Sequence, residues 1–299
     1  MTGQGTTGTM EHKAVSDQAA TWLWLSIAAG LLAMAGSVIA LAVDSIYAGL
    51  TPYFLAQALA QDIANLAVAS LALLVLAALA LRGSLRAYLL WLGVLTFSVY
   101  NYVIYTFSVP FGPLFLLWVV VLGLCIYALI GGIAAVDHRE VARRFTSRRA
   151  VIVTGWFLII TALLFGMLWL SEDVPALLAG IRPQSLTDMA LPTNPVHILD
   201  LAFFLPAAIA TGVLLLKRKP LAYTLAPPLI VFLILTGVPI MITPGVQAAR
   251  GETAAWGVIG PIGTLTVALL GLLAWLLATM RSHPPQVKLP RSNISVKEG

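Results

Sequence analysis

The chain reads as an all-α integral membrane protein, a bundle of eight transmembrane helices with both termini on the cytoplasmic side. Three observations predict this. First, 60% of the 299 residues are hydrophobic and only 10% are charged, with a mean hydropathy of +0.96. Soluble domains carry about 25% charged residues. A chain this apolar cannot cover a water-facing surface, so lipid is its solvent. Second, the apolar residues gather into eight stretches, each close to the roughly 20 residues that a span needs. Third, the basic residues alternate. Of 17 Lys and Arg, all but Arg182 and Arg250 fall in every second connection, counting both tails. Short Lys/Arg-rich loops stay cytoplasmic, so this alternation orients the chain in a cell membrane.

Residues 1–19 are polar and Gly/Thr-rich and predict a disordered cytoplasmic tail. The membrane domain runs from 20 to 280. Its first span, 21–43, is longer than the usual apolar core of a cleaved leader, about 7–15 residues. The second covers 62–81, but Thr51-Pro52 fits an N-cap followed by Pro at the first helical position. A helix from Pro52 would be about 45 Å long at about 1.5 Å per residue. That exceeds a hydrocarbon layer of about 30 Å, so its first turns must leave the apolar layer or line a vestibule. A turn with Arg82 and Arg86 leads into the third span, 87–107, which ends in Tyr100-Asn101-Tyr102 and Tyr105. The fourth, 114–135, holds the one cysteine, Cys125.

An arginine-rich loop at 139–149 precedes the fifth span, 151–170. Asn194-Pro195 repeats the cap-then-Pro signal before the sixth, 197–216. Lys217, Arg218 and Lys219 form the next basic turn. The seventh span, 222–243, contains several prolines, and the eighth, 255–280, opens on Gly257, Gly260, Pro261 and Gly263. Residues 281–299 predict a disordered, basic cytoplasmic tail. The face depleted of basic residues holds the acids Asp44, Asp62, Glu172, Asp173, Asp188, Asp200 and Glu252.

The two halves share a pattern. Gln61-Asp62, an apolar run and Arg82-Gly83-Ser84-Leu85-Arg86-Ala87-Tyr88 resemble His197-Ile198-Leu199-Asp200, an apolar run and Arg218-Lys219-Pro220-Leu221-Ala222-Tyr223. This predicts a parallel 4+4 repeat, residues 20–135 and 150–280, with Asp62 and Asp200 as partners. The competing reading is convergence, because every cytoplasmic turn tends to be basic.

An ionisable or strongly polar group within a span is a site hypothesis, and such groups lie mainly in the outer half. Gln57, Gln61 and Asn65 form one helical stripe that Asp62 adjoins, and Asn101 and Tyr105 end the third span. His197 and Asp200, at i and i+3, predict a His–Asp pair. The candidate solute-binding residues are therefore Gln61, Asp62, Asn65, Asn101, Tyr105, His197 and Asp200.

Several functions are excluded. One cysteine allows no intrachain disulfide and no paired-thiol chemistry. One histidine within the spans provides neither bis-histidine haem ligation nor a three-histidine zinc site, so no metal or cofactor is predicted. No span carries a Lys for a retinal Schiff base or an arginine ladder for voltage sensing. The positive charge is spread through short loops and meets anionic lipid, so nucleic acid is no predicted partner. Three readings remain: a carrier or binding protein for a small cationic or protonatable solute; an outer-face enzyme acting on a lipid or lipid-linked substrate through Asp and His; and a non-catalytic subunit or receptor with a membrane-protein partner.

Overall fold

The computed structural model describes residues 14–16 and 18–281. Lys13, Lys288, Arg291 and Lys297, with most of both expected tails, lie outside the described residues. The described chain is all-helical with no strand, and eight of its helices are long and apolar enough to cross a membrane. They are α1 Ala19–Ala42, α2 Pro52–Leu81, α3 Leu85–Ser108, α4 Phe115–Ala134, α5 Arg148–Ala179, α6 Pro195–Leu216, α7 Pro220–Ala249 and α8 Trp256–Ala278. Short helices at His138–Arg144 and Gln184–Met189 sit in the connections. These features are those of a polytopic membrane protein.

Both cap signals act as the sequence predicts. Thr51 Oγ1 accepts from the Phe54 N–H, and Asn194 Oδ1 accepts from the Val196 and His197 N–H groups. Helix α2 does run from Pro52 through 30 residues. Helix α5 is longer than the 151–170 expected, continuing through Glu172 and Asp173 and past Pro175 to a left-handed Gly180. Its acidic end therefore projects beyond the apolar stretch, and that extension shapes the site. The expected N-terminal tail also gives way before residue 19. Val15 bridges Val136, with the Ser16 N–H on the Ala135 carbonyl and the Asp137 N–H on the Ala14 carbonyl. Phe145 bridges Met280 in the same pattern between α5 and α8.

The α2–α3 and α6–α7 hairpins keep a constant separation of 135 residues. A π turn occupies Asn65–Ala69 in α2 and Asp200–Phe204 in α6. Each opens with a polar residue followed by Leu-Ala. At the same separation, Gly83 and Arg218 take positive φ, 88° and 54°. The N–H groups of Gly83 and Ser84 bond to Ala80 and Leu79, as those of Arg218 and Lys219 do to Leu215 and Leu214. The expected pairing of Asp62 with Asp200 has a different spacing, 138 residues. At the 135-residue spacing of the π turns, Asn65 stands against Asp200 and Asp62 against His197. The two acids stand at different distances from their basic turns, so aligning them slips the helices by three residues.

Helices α3 and α7 are the most enclosed and pack directly on each other. The sequence of α3 explains its place. Trp91, Tyr88, Phe97 and Asn101 are spread around its circumference, and an unpaired donor is costly in hydrocarbon. Trp91 Nε1 donates to Ser26 Oγ at 2.8 Å, and the Tyr88 hydroxyl to the Gly132 carbonyl at 2.8 Å. Helices with plain Leu/Ala/Val faces, such as α5, leave those faces on the outside. At the α3–α7 crossing, Gly93 allows close approach. A Cβ there would lie 2.5 Å from Val231 Cβ and 2.9 Å from the Pro228 carbonyl oxygen.

Gly93→Ala should therefore force α3 and α7 apart and lower stability by about 1–3 kcal/mol. Gly123, whose Cβ position is open, is the control. Thermal unfolding in mild detergent should show Gly93→Ala melting earlier and Gly123→Ala close to the parent.

Candidate functional site

A cavity of about 390 Å³ lies toward the acidic end, walled by α2, α3, α5, α6, α7 and α8. Volumes of roughly 300–1,000 Å³ suit small ligands. The walls are mostly apolar and rich in aromatic rings, among them Tyr53, Tyr100, Phe165, Trp169 and Phe232. Asp200 is the one carboxylate on the wall, and no Lys, Arg or His lines it among the described residues. Much of the far wall is α7, where Gly237, Pro239 and Pro244 face the space. Proline removes backbone hydrogen bonds, and such irregular backbone at depth is tolerated where it lines a cavity.

The seven residues singled out from the sequence separate into two groups. Gln61, Asn101, Tyr105 and Asp200 line the cavity; Asp62, Asn65 and His197 do not. Asn65 lies behind the α2 wall, where its Oδ1 accepts from Gln61 Nε2 at 3.1 Å and Asn101 Nδ2 at 3.3 Å. Its own Nδ2 is buried without a partner. Asp62, 2% exposed, points away from the cavity between α1, α2 and α3.

The two carboxylates are solvated very differently. Both oxygens of Asp62 are occupied. Ser37 Oγ donates to Oδ1 at 2.8 Å, Tyr105 Oη to Oδ1 at 3.1 Å and Tyr47 Oη to Oδ2 at 2.6 Å. Tyr47 belongs to a 3-10 turn, Asp44–Tyr47, outside the spans. Burial, with the facing Asp62 carboxylate, holds its phenol well above the ordinary value, so it remains a donor. Asp200 receives one donor in hydrogen-bonding geometry, Trp169 Nε1, which reaches Oδ2 at 2.8 Å. The Tyr100 hydroxyl lies close to the Asp200 carboxylate. Asp200 thus lines the cavity with a single donor in hydrogen-bonding geometry.

The expected His197–Asp200 pair does not form. His197 Nδ1 lies 3.0 Å from both carboxylate oxygens of Asp173, and Nε2 lies 3.9 Å from Glu172. The imidazole stacks on Trp169 at 4.5 Å between centroids. The indole thus stands between His197 and Asp200, stacked on one and donating to the other. Both acids that meet His197 come from the extension of α5. The run Ser171-Glu172-Asp173 reads as the end of a span, so the sequence placed these acids in a loop. Ser37, Tyr47 and Trp169 were also missed. Each is an ordinary membrane-helix or interfacial residue, and only packing against a carboxylate on another helix distinguishes it.

No family model, curated protein or solved structure matches this chain.

Removing a donor from a buried carboxylate leaves charge uncompensated, and hydrogen bonds to charged groups contribute about 1.5–3 kcal/mol. Membrane interiors return smaller values, averaging about 0.6 kcal/mol. Ser37→Ala should fall between, lowering stability by about 1–2 kcal/mol in reversible unfolding. A change within error would show that Asp62 does not depend on this bond.

Proposed function

We propose that this chain is a carrier or binding protein for a small protonatable solute, an organic amine, whose charged end is held by Asp200. The observation that supports this reading is a single carboxylate, with one donor in hydrogen-bonding geometry, on the wall of a mostly apolar, aromatic-lined cavity. A carboxylate and an ammonium about 4 Å apart attract by about 4 kcal/mol at an effective dielectric of about 20. Facing aromatic rings add about 0.5–2 kcal/mol through cation–π contact. Apolar walls suit the hydrocarbon part of such a solute.

The alternation of basic loops supports an orientation with both termini cytoplasmic and the cavity toward the outer face of a cell membrane. The shared separation of 135 residues between the two hairpins supports descent from a duplicated four-helix unit. In that reading the second half keeps Asp200 where the first half has Asn65, so one cation site remains rather than two. An enzyme reading is weaker, because His197 does not line the cavity and so gives Asp200 no acid–base partner there.

Binding of benzylamine to purified protein, with uptake into proteoliposomes, tests the reading. Asp200→Asn should weaken binding roughly 100-fold, somewhat less than the full ion-pair estimate because water re-enters the emptied site. His197→Ala should stay near the parent. Unchanged pH-dependent uptake by Asp200→Asn would overturn the assignment.

A further inference from the structure

Asp62 lies outside the cavity, yet it touches it through one side chain. Tyr105 lines the cavity, and its hydroxyl donates to Asp62 Oδ1 at 3.1 Å. The same hydroxyl lies 3.5 Å from the Ala58 carbonyl oxygen. No Lys, Arg or His among the described residues compensates the charge of Asp62. The titratable groups around it are Tyr47 from the turn and Tyr102 and Tyr105 from α3, with Cys125 of α4 beyond Tyr102. Helix α1 contributes only the Ser37 hydroxyl.

The chemistry of the three donors is informative. Backbone N–H groups can only donate, so a carboxylate held by them is satisfied solely when ionised. Hydroxyls both donate and accept. If Asp62 takes up a proton, its new O–H can donate to Tyr105 Oη, and Tyr105 can turn its own proton to the Ala58 carbonyl. The heavy atoms stay where they are, and every buried polar atom of the cluster keeps a partner. Both protonation states are therefore accommodated inside the bundle, and Tyr105 connects the cluster to the cavity.

We propose that Asp62 is a proton-binding site coupled to the cavity through Tyr105, so that a cation entering the cavity releases the proton that Asp62 holds. This rests on the reading of the cavity as an amine site. The sign follows from charge. Ionised Asp62 attracts a cation and protonated Asp62 does not, so amine affinity rises as pH rises through the titration of Asp62. The proton leaves as H⁺ by way of Tyr105 and cavity water. Asp200 itself also titrates and favours the cation in the same direction, so the two contributions must be separated by mutation.

The test is calorimetric titration of the full chain with benzylamine, in buffers of different ionisation enthalpy, across roughly pH 5 to 9. The heat difference between buffers counts the protons released per amine bound. The parent should release more protons than Asp62→Asn, with a maximum difference approaching one. Tyr47→Phe removes one donor from ionised Asp62 without touching the cavity wall. It should keep amine binding and move the midpoint of proton release to higher pH, and it serves also if Asp62→Asn fails to fold. Equal proton counts in the parent and Asp62→Asn, or an unmoved profile in Tyr47→Phe, would overturn the coupling while leaving the amine site intact. Absence of amine binding by the parent would overturn both.

Discussion

A carboxylate inside an apolar bundle has no water to solvate it, so the protein must supply its donors. The internal organisation of this molecule follows from how that requirement is met at two places. Asp62 is fully supplied, by Ser37 of α1, Tyr47 of the following turn and Tyr105 of α3. Those three bonds tie the first half of the chain together. Asp200 has one donor in hydrogen-bonding geometry, Trp169 of α5, with the Tyr100 hydroxyl close by. A carboxylate enclosed by three donors holds structure; one with fewer donors that faces a cavity can accept a ligand.

The arrangement of helices serves that difference. Helix α3 stands at the centre, sending Tyr105 to Asp62 and placing Tyr100 beside Asp200. Helix α7 packs against it at Gly93 and then, at its acidic end, forms the far wall with Gly237 and its prolines. The π turns begin at Asn65 and Asp200, the two polar residues at matching positions. Such turns are frequent at functional sites, because the extra residue reorients the helix faces around it. The polar residue of one turn is an amide turned to Gln61 and Asn101, and that of the other is an acid turned to the cavity.

Much of the fold was legible in the sequence. Hydropathy alone located the eight long helices, since the length of an apolar run is fixed by the thickness of the layer it must cross. Thr51-Pro52 and Asn194-Pro195 located two helix starts, because capping is a local interaction. The site was legible only in part. Gln61, Asn101, Tyr105 and Asp200 stood out as polar residues in apolar runs, and they converge on the cavity. What Asp62, Asp200 and His197 would meet was not legible, because Ser37, Trp169 and Asp173 come from other helices. The His197–Asp200 spacing of i, i+3 implied contact. That spacing puts two residues on one helix face but says nothing of an indole inserted between them.

The central claim is that a protonatable organic cation occupies the space beside Asp200. Photolabelling with a diazirine-bearing primary amine, followed by peptide mass spectrometry, tests it directly. Adducts are expected on the walls next to Asp200, at Tyr100, Trp169 and Phe232, suppressed by excess unlabelled amine. Adducts confined to lipid-facing positions such as Leu164 or Val267, or a pattern that excess amine leaves unchanged, would contradict it.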